Sequence, residues 1–183
     1  MAGCNGSPDP SATSTPVRPT VVPTTNASGT TTSPTSAPGG GPVVPAAARA
    51  HTNAGAQAFA EFYLRQLNKA WTIPDPEQIR PYSTAACKTC SAYISTAEEM
   101  QAQGQHYDGP PIKILAATFL PESDAARPLV RVLNVQEKRK IVDSRGKVVD
   151  TVLRDANEAQ LEMVWKGAPG WQVDEVKYVQ VQE

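Results

Sequence analysis

Between Ala56 and Trp71, apolar residues recur at three- and four-residue intervals: Ala56, Phe59, Ala60, Tyr63, Leu67, Ala70 and Trp71. This is the period of an amphipathic helix with an aromatic-rich buried stripe. Thr52 or Asn53 can cap its start, and Pro74 ends it. Asp75-Pro76-Glu77 reads as cap, first-turn proline and first-turn acid, which predicts a short second helix over 75–81. A third helix is expected over 84–103, with Tyr93, Ile94, Ala97 and Met100 facing inward and Gly104 stopping it. Gly109-Pro110-Pro111 breaks the chain.

Beyond that break the period changes from helical to alternating. Strands are expected at 112–120, 129 to about 142, 148–154, 160–166 and 171–181. Turns are expected at 121–127, 144–146, 155–157 and 167–170. Leu161, Met163 and Trp165, then Trp171 and Val173, share one face, while Glu162, Gln172 and Asp174 point the other way. The charged run Glu137-Lys138-Arg139-Lys140 reads as the solvated, splayed part of a long strand. Short turns in succession imply an antiparallel meander. The fold class is therefore α+β: three N-terminal helices packed on a curved antiparallel sheet of four to five strands.

Composition divides the 183 residues into unlike parts. From Cys4 to Ala50 there is no aromatic residue, the only charges are Asp9, Arg18 and Arg49, and nine of the 17 prolines fall here. Such a stretch buries too little apolar surface to offset its chain entropy, so residues 5–50 are expected to form a disordered tether. Its root-mean-square span would be roughly 40 Å, and on the order of 140 Å if extended at polyproline pitch. Residues 51–183 have globular composition: roughly 130 residues, enough for one core. The formal net charge of −1 shows no basic excess, which argues against a nucleic-acid partner. No apolar run is long enough to span a bilayer.

Cys87 and Cys90 form a Cys-x-x-Cys pair near the start of the third predicted helix. A structural zinc site wants four ligands, and His51 and His106 have no partner at ligand spacing. A thioredoxin-type redox pair follows a strand in a βαβ unit, whereas Pro81-Tyr82-Ser83-Thr84 reads as a turn and cap. The expectation is a structural disulfide across one helical turn, contributing about 2 kcal/mol in the chain-entropy account. It would place the domain in an oxidising compartment. Thiol–disulfide oxidoreduction through Cys87 and Cys90 stands as the alternative.

Met1-Ala2-Gly3-Cys4, followed by a polar tail, resembles the end of a bacterial lipoprotein signal peptide. The resemblance implies that residues 1–4 are a remnant of that signal and that Cys4 carries acyl chains. Two or more chains would anchor the protein stably to the outside of the cell membrane.

Two further resemblances concern the body of the chain. The helix run Ala56-Gln57-Ala58-Phe59-Ala60-Glu61-Phe62-Tyr63, with Met163-Val164-Trp165-Lys166-Gly167 and Gly170-Trp171-Gln172-Val173, resembles the cystatin-like cone-shaped roll of the nuclear transport factor, ketosteroid isomerase and scytalone dehydratase superfamily. More closely, Ala54-Gly55-Ala56-Gln57-Ala58-Phe59, Tyr63, Leu67-Asn68, Cys87, Cys90 and Tyr93 resemble an uncharacterised actinobacterial lipoprotein family, a domain of unknown function. That likeness implies a fold and a location but no activity.

Cone folds commonly hold a pocket between sheet and helices. Tyr63, Tyr93, Tyr107 and Asn134 are the residues expected to reach one here. No carboxylate sits inside an apolar strand pattern where burial would raise its pKa. His106 falls in what reads as a solvated turn, and no nucleophile–base or phosphate-loop motif is present. The expected function is therefore a non-catalytic binding domain displayed at the cell surface, without cofactor or metal. Its partners would be the membrane, through the acyl chains, and a cell-envelope protein or small ligand; the superfamily resemblance adds a homodimer through the sheet. A small-molecule enzyme using the cone pocket is the second alternative.

Overall fold

The structure is a computed structural model and describes residues 41–180, apart from Glu122, Ala125, Ala168 and Pro169. Cys4 and most of the expected tether lie outside the described residues.

Helix α1 (Asn53–Thr72) is capped by Thr52, whose Oγ1 accepts from the Gly55 amide at 3.1 Å. It buries more than the expected stripe, because Phe62, Leu64 and Gln66 are also covered. The sheet packs on one side of the helix, and the segment after it returns along another, setting the Tyr82 ring edge-on to Phe62 at 5.1 Å. That segment is not the single short helix expected over 75–81. It forms two 3-10 turns, Pro76–Gln78 and Arg80–Tyr82. Asp75 does cap the first, with Oδ1 accepting from the Glu77 amide at 3.0 Å. Pro81 has no N–H to continue a helical ladder.

Helix α2 (Lys88–Gln103) begins four residues later than expected. Residues 83 and 84 are drawn to the sheet instead. The Thr84 amide donates to the Val173 carbonyl at 2.9 Å, and the Thr84 hydroxyl donates to Asp174 at 2.6 Å. Gly104, with φ of 63°, closes the helix as predicted.

Among the described residues there are seven strands in two sheets rather than four or five in one: β1 (His106–Tyr107), β2 (Ile112–Leu120), β3 (Leu129–Gln136), β4 (Arg139–Val142), β5 (Val148–Val152), β6 (Asp155–Trp165) and β7 (Trp171–Gln180). The larger sheet is antiparallel in the order β2-β3-β6-β7; the smaller is β1-β4-β5. The expected long strand from Leu129 divides at residues 137–138. Gln136 pairs with Ile112, and beyond Ile112 the neighbouring strand would need amides from Pro111 and Pro110, which have none. The chain therefore leaves the sheet and makes the β4–β5 hairpin, returning as β6. Residues 155–157, expected to be a turn, are the first rungs of β6, opposite Gln136, Val135 and Asn134. His106 and Tyr107, expected in a solvated loop, pair with Val142 and Ile141 of β4.

The largest correction concerns residues 41–50, expected to belong to the disordered tether. They form a strap on the domain. Ala46–Arg49 makes a 3-10 turn that buries Ala48. The Tyr82 hydroxyl donates to the Pro42 carbonyl, and the Trp171 indole donates to the Ala50 carbonyl at 2.9 Å. His51 then stacks on Trp165, with ring centroids 4.6 Å apart and planes 7° from parallel. Composition misses this because the strap's own residues are small. The aromatic partners that tie it down come from far along the chain.

The core lies between α1 and the concave face of the larger sheet, where Phe59, Tyr63, Leu67, Val130, Leu161 and Met163 are fully buried. Asn68 joins helix to sheet edge in the manner of a backbone rung. Its Nδ2 donates to the Ile112 carbonyl at 2.7 Å, and its Oδ1 accepts from the Ile112 amide at 2.8 Å. No helix among the described residues is long and apolar enough to cross a membrane.

Candidate ligand-binding cleft

Along the concave face, side chains change character at one level of the sheet. On β3 the inward positions run Val130, Val132, Asn134, Gln136. On β6, in the opposite direction, they run Leu161, Ala159, Asn157, Asp155. Register places Asn134 directly opposite Asn157, and Gln136 opposite Asp155. The apolar half is filled by α1. The amide half opens into a cleft of about 310 Å3 lined by Trp71, Tyr93, Ile112, Asn134, Gln136, Asp155, Asn157 and Tyr178.

Two of the four residues expected at a pocket, Tyr93 and Asn134, meet here. Asn134 is 5% exposed and forms part of the floor. Tyr93 projects from α2, and its hydroxyl lies 2.6 Å from that of Tyr178 on β7. Burial first, then the neighbouring phenol, pushes the Tyr93 hydroxyl well above the ordinary tyrosine range. Burial also raises Tyr178, against the opposing effect of its hydrogen bond to Tyr93. Both phenols therefore stay protonated. In a pair of hydroxyls one O–H donates to the other, so one O–H proton is left over for a third partner.

The other two expected residues fall elsewhere. Tyr63 is completely buried, and its hydroxyl lies 3.0 Å from Ser83 Oγ. Ser83 in turn donates to the Ile79 carbonyl at 3.0 Å, which leaves Tyr63 as the donor of the pair. Burial raises the Tyr63 pKa. Tyr107 packs against Trp71, centroids 5.9 Å apart, and is not among the residues lining the cleft. The opposite side of Trp71 meets Tyr93 edge-on at 5.5 Å, and its indole N–H donates to the Tyr93 carbonyl at 3.3 Å.

Trp71, Gln136, Asp155, Asn157 and Tyr178 were not anticipated. Residues 155–157 read as a turn along the sequence, and only register shows that Asn157 faces Asn134 and Asp155 faces Gln136. Tyr178 was hidden by a bulge. Glu162 pairs with Glu175 while Met163 pairs with Val173, so Asp174 is an extra residue in β7. Inward parity thereby passes from Trp171 and Val173 to Val176 and Tyr178.

Cys87 and Cys90 sit with their sulfurs at disulfide-bonding distance, 2.01 Å, at the start of α2. Their residues are 1% and 0% exposed. Thiol exchange requires a sulfur that another thiol can reach, and burial of both residues keeps these sulfurs from solvent.

The sequence matches the profile of a family of unknown function, DUF6318, over residues 27–177. The chain belongs to DUF6318. The match includes the strap, which agrees with the strap's being part of the folded domain. Among curated proteins, none matches this DUF6318 chain. Among solved structures it is similar to the intermembrane-space region of the chloroplast protein ARC6, at 16% identity and a TM-score of 0.50, covering 71% of this chain and 98% of that one. A domain of unknown function with a cystatin-like fold from Nostoc punctiforme is 13% identical, TM-score 0.43, over 70% of this chain and 79% of that one. Aln2 from a Streptomyces species is 11% identical, TM-score 0.42, over 67% of this chain and 87% of that one. At these identities the likeness is one of fold alone, and the fold of this DUF6318 chain is α+β.

Proposed function

We propose that this DUF6318 protein is a non-catalytic binding domain, displayed outside the cell membrane by acylated Cys4, which takes a small ligand in the cleft at the open end of its cone. The observation that carries the reading is the lining of that cleft. It offers carboxamides, protonated phenols and an indole. These are hydrogen-bonding and stacking groups, and burial keeps the phenols protonated. Asp155 lies exposed at the rim, where solvent rather than an apolar wall surrounds it. A strap that ends in the domain and a tail rich in Ser, Thr and Pro suit a tethered module.

The test has two arms. Small molecules screened against the full chain by NMR should shift the side-chain amides of Asn134 and Asn157, and a ligand found this way should be recovered unchanged after prolonged incubation. Turnover of that ligand would show an enzyme instead. In cells expressing the gene from its natural start, Cys4→Ala should move the protein from the membrane fraction to the medium. Retention of the variant on the membrane would remove the lipid anchor from the reading.

A further inference from the structure

Resting on the binding reading above, we infer that the cleft recognises a neutral polyhydroxylated ligand, a sugar residue of a free or polymer-borne saccharide, with the Asn134–Asn157 pair as the polar floor and Tyr178 as the stacking platform.

Charge is the first constraint on the ligand. The lining holds no Lys, Arg or His, and its one acid is Asp155. A phosphate or carboxylate would enter without a counter-charge and would meet that acid at the rim. An uncharged ligand meets no such penalty. The floor is also unusually rich in groups that both donate and accept. Asn134, Gln136 and Asn157 each carry an amide oxygen and an NH2. Asn134 donates one proton to the Val132 carbonyl at 3.2 Å and Gln136 one to the Leu153 carbonyl at 3.1 Å, which leaves each its oxygen and a second proton. Asn134 and Asn157 are direct cross-strand partners, which brings their Cβ atoms to about 4.5–5.5 Å. Sugar hydroxyls are both donor and acceptor, and neighbouring hydroxyls on one ring suit paired amides of this kind. The leftover O–H proton of the Tyr93–Tyr178 pair adds a donor at the wall.

The aromatic groups narrow the class further. Tyr178 is 47% exposed, while Tyr93 is 9% exposed and meets Trp71 edge-on. The cleft thus presents the open Tyr178 phenol and the half-buried Trp71 indole beside an amide floor. One ring face with its negative quadrupole fits the slightly positive C–H face of a pyranose. At about 310 Å3 the cleft lies at the small end of ligand sites, in keeping with a short saccharide or the end of a longer one.

The experiment titrates the isotope-labelled full chain with cellobiose, maltose and mannobiose, and separately with adenosine, choline and glucose 6-phosphate. The signals followed are the side-chain amides of Asn134, Gln136 and Asn157 and the indole N–H of Trp71. At least one neutral disaccharide should shift these signals saturably. Asn157→Ala and Gln136→Ala should each weaken that binding by about tenfold, the loss of one well-formed hydrogen bond, with backbone signals away from the cleft unchanged. If adenosine, choline or glucose 6-phosphate shifts the signals and no disaccharide does, the sugar assignment falls while the binding cleft stands. If no compound shifts them, both the sugar assignment and the cleft as a ligand site fall. If a disaccharide binds equally well to both variants, the assigned floor is wrong.

Discussion

The two ends of the concave face share strands, twist and the same covering helix, yet they do opposite things. At one end Val130, Val132, Leu161 and Met163 are completely buried under Phe59, Tyr63 and Leu67. At the other, two residues further along the same strands, Asn134, Gln136 and Asn157 floor a cleft. Backbone pairing runs through the boundary without a break on β3 and β6. The sheet therefore does not choose between core and site; the side chains do. An apolar residue in that register closes against α1, and an amide in the same register keeps its hydrogen-bonding groups for something other than the helix. The hydroxyl pair of Tyr93 and Tyr178 lies on the cleft wall, one ring buried and the other half exposed.

Truncation should separate the two ends sharply. Leu161→Ala removes a fully buried side chain and is expected to cost about 2–5 kcal/mol. Asn157→Ala should cost well under that, because the amide borders open space. Urea unfolding of both variants reads the difference directly; equal losses would mean that the cleft end is as much core as the apolar end.

The strap gives the next largest effect. A Cβ built at Gly55 would lie 2.0 Å from the Ala50 carbonyl oxygen, which is also the acceptor of the Trp171 indole. Gly55→Ala must displace the strap or the helix start, at about 1–3 kcal/mol by comparison with overpacked cores. Differential scanning calorimetry should show a lowered Tm, and faster proteolysis near Ala50 should accompany it. Deleting residues 41–50 should lower the Tm in the same direction. An unchanged Tm in both would return the strap to the tether.

The smallest effect is a dependence on alkaline pH. Tyr63 and Tyr93 have pKa values raised in the fold, chiefly by burial. The folded state thus keeps protons that the unfolded chain gives up from about pH 10 upward. Their contribution to stability is complete below that pH and is lost as pH rises through the folded values. Unfolding midpoints measured from pH 8 to 11 should fall toward the alkaline end. Tyr63→Phe should show a shallower fall; an identical slope would remove Tyr63 as a source.

The periodicity of α1, its cap at Thr52 or Asn53, the Gly104 stop, the strand at 112–120 and the alternation of 161–165 and of Trp171 and Val173 could all be read along the chain. These signals are local, set by the helical and pleated repeat and by backbone chemistry at single residues. The pairing of Cys87 with Cys90 also needed only a spacing. Two of the candidate residues, Tyr93 and Asn134, line the cleft, whereas Tyr63 and Tyr107 do not. Sequence does not say which tyrosine on a buried stripe ends next to space.

What the amino-acid sequence determined by itself was the α+β class of the domain and the apolar faces of α1, of 161–165 and of 171–173. These follow from repeat and composition. Tertiary structure alone decided that Asn134 would face Asn157, that a bulge at Asp174 would turn Tyr178 inward, and that residues 41–50 would lie on Trp165 and Trp171. Each of those depends on register or on contact between residues far apart in the chain. Register is settled only when helices and strands compete for the same core, because a shift of one residue exchanges every inward side chain for an outward one.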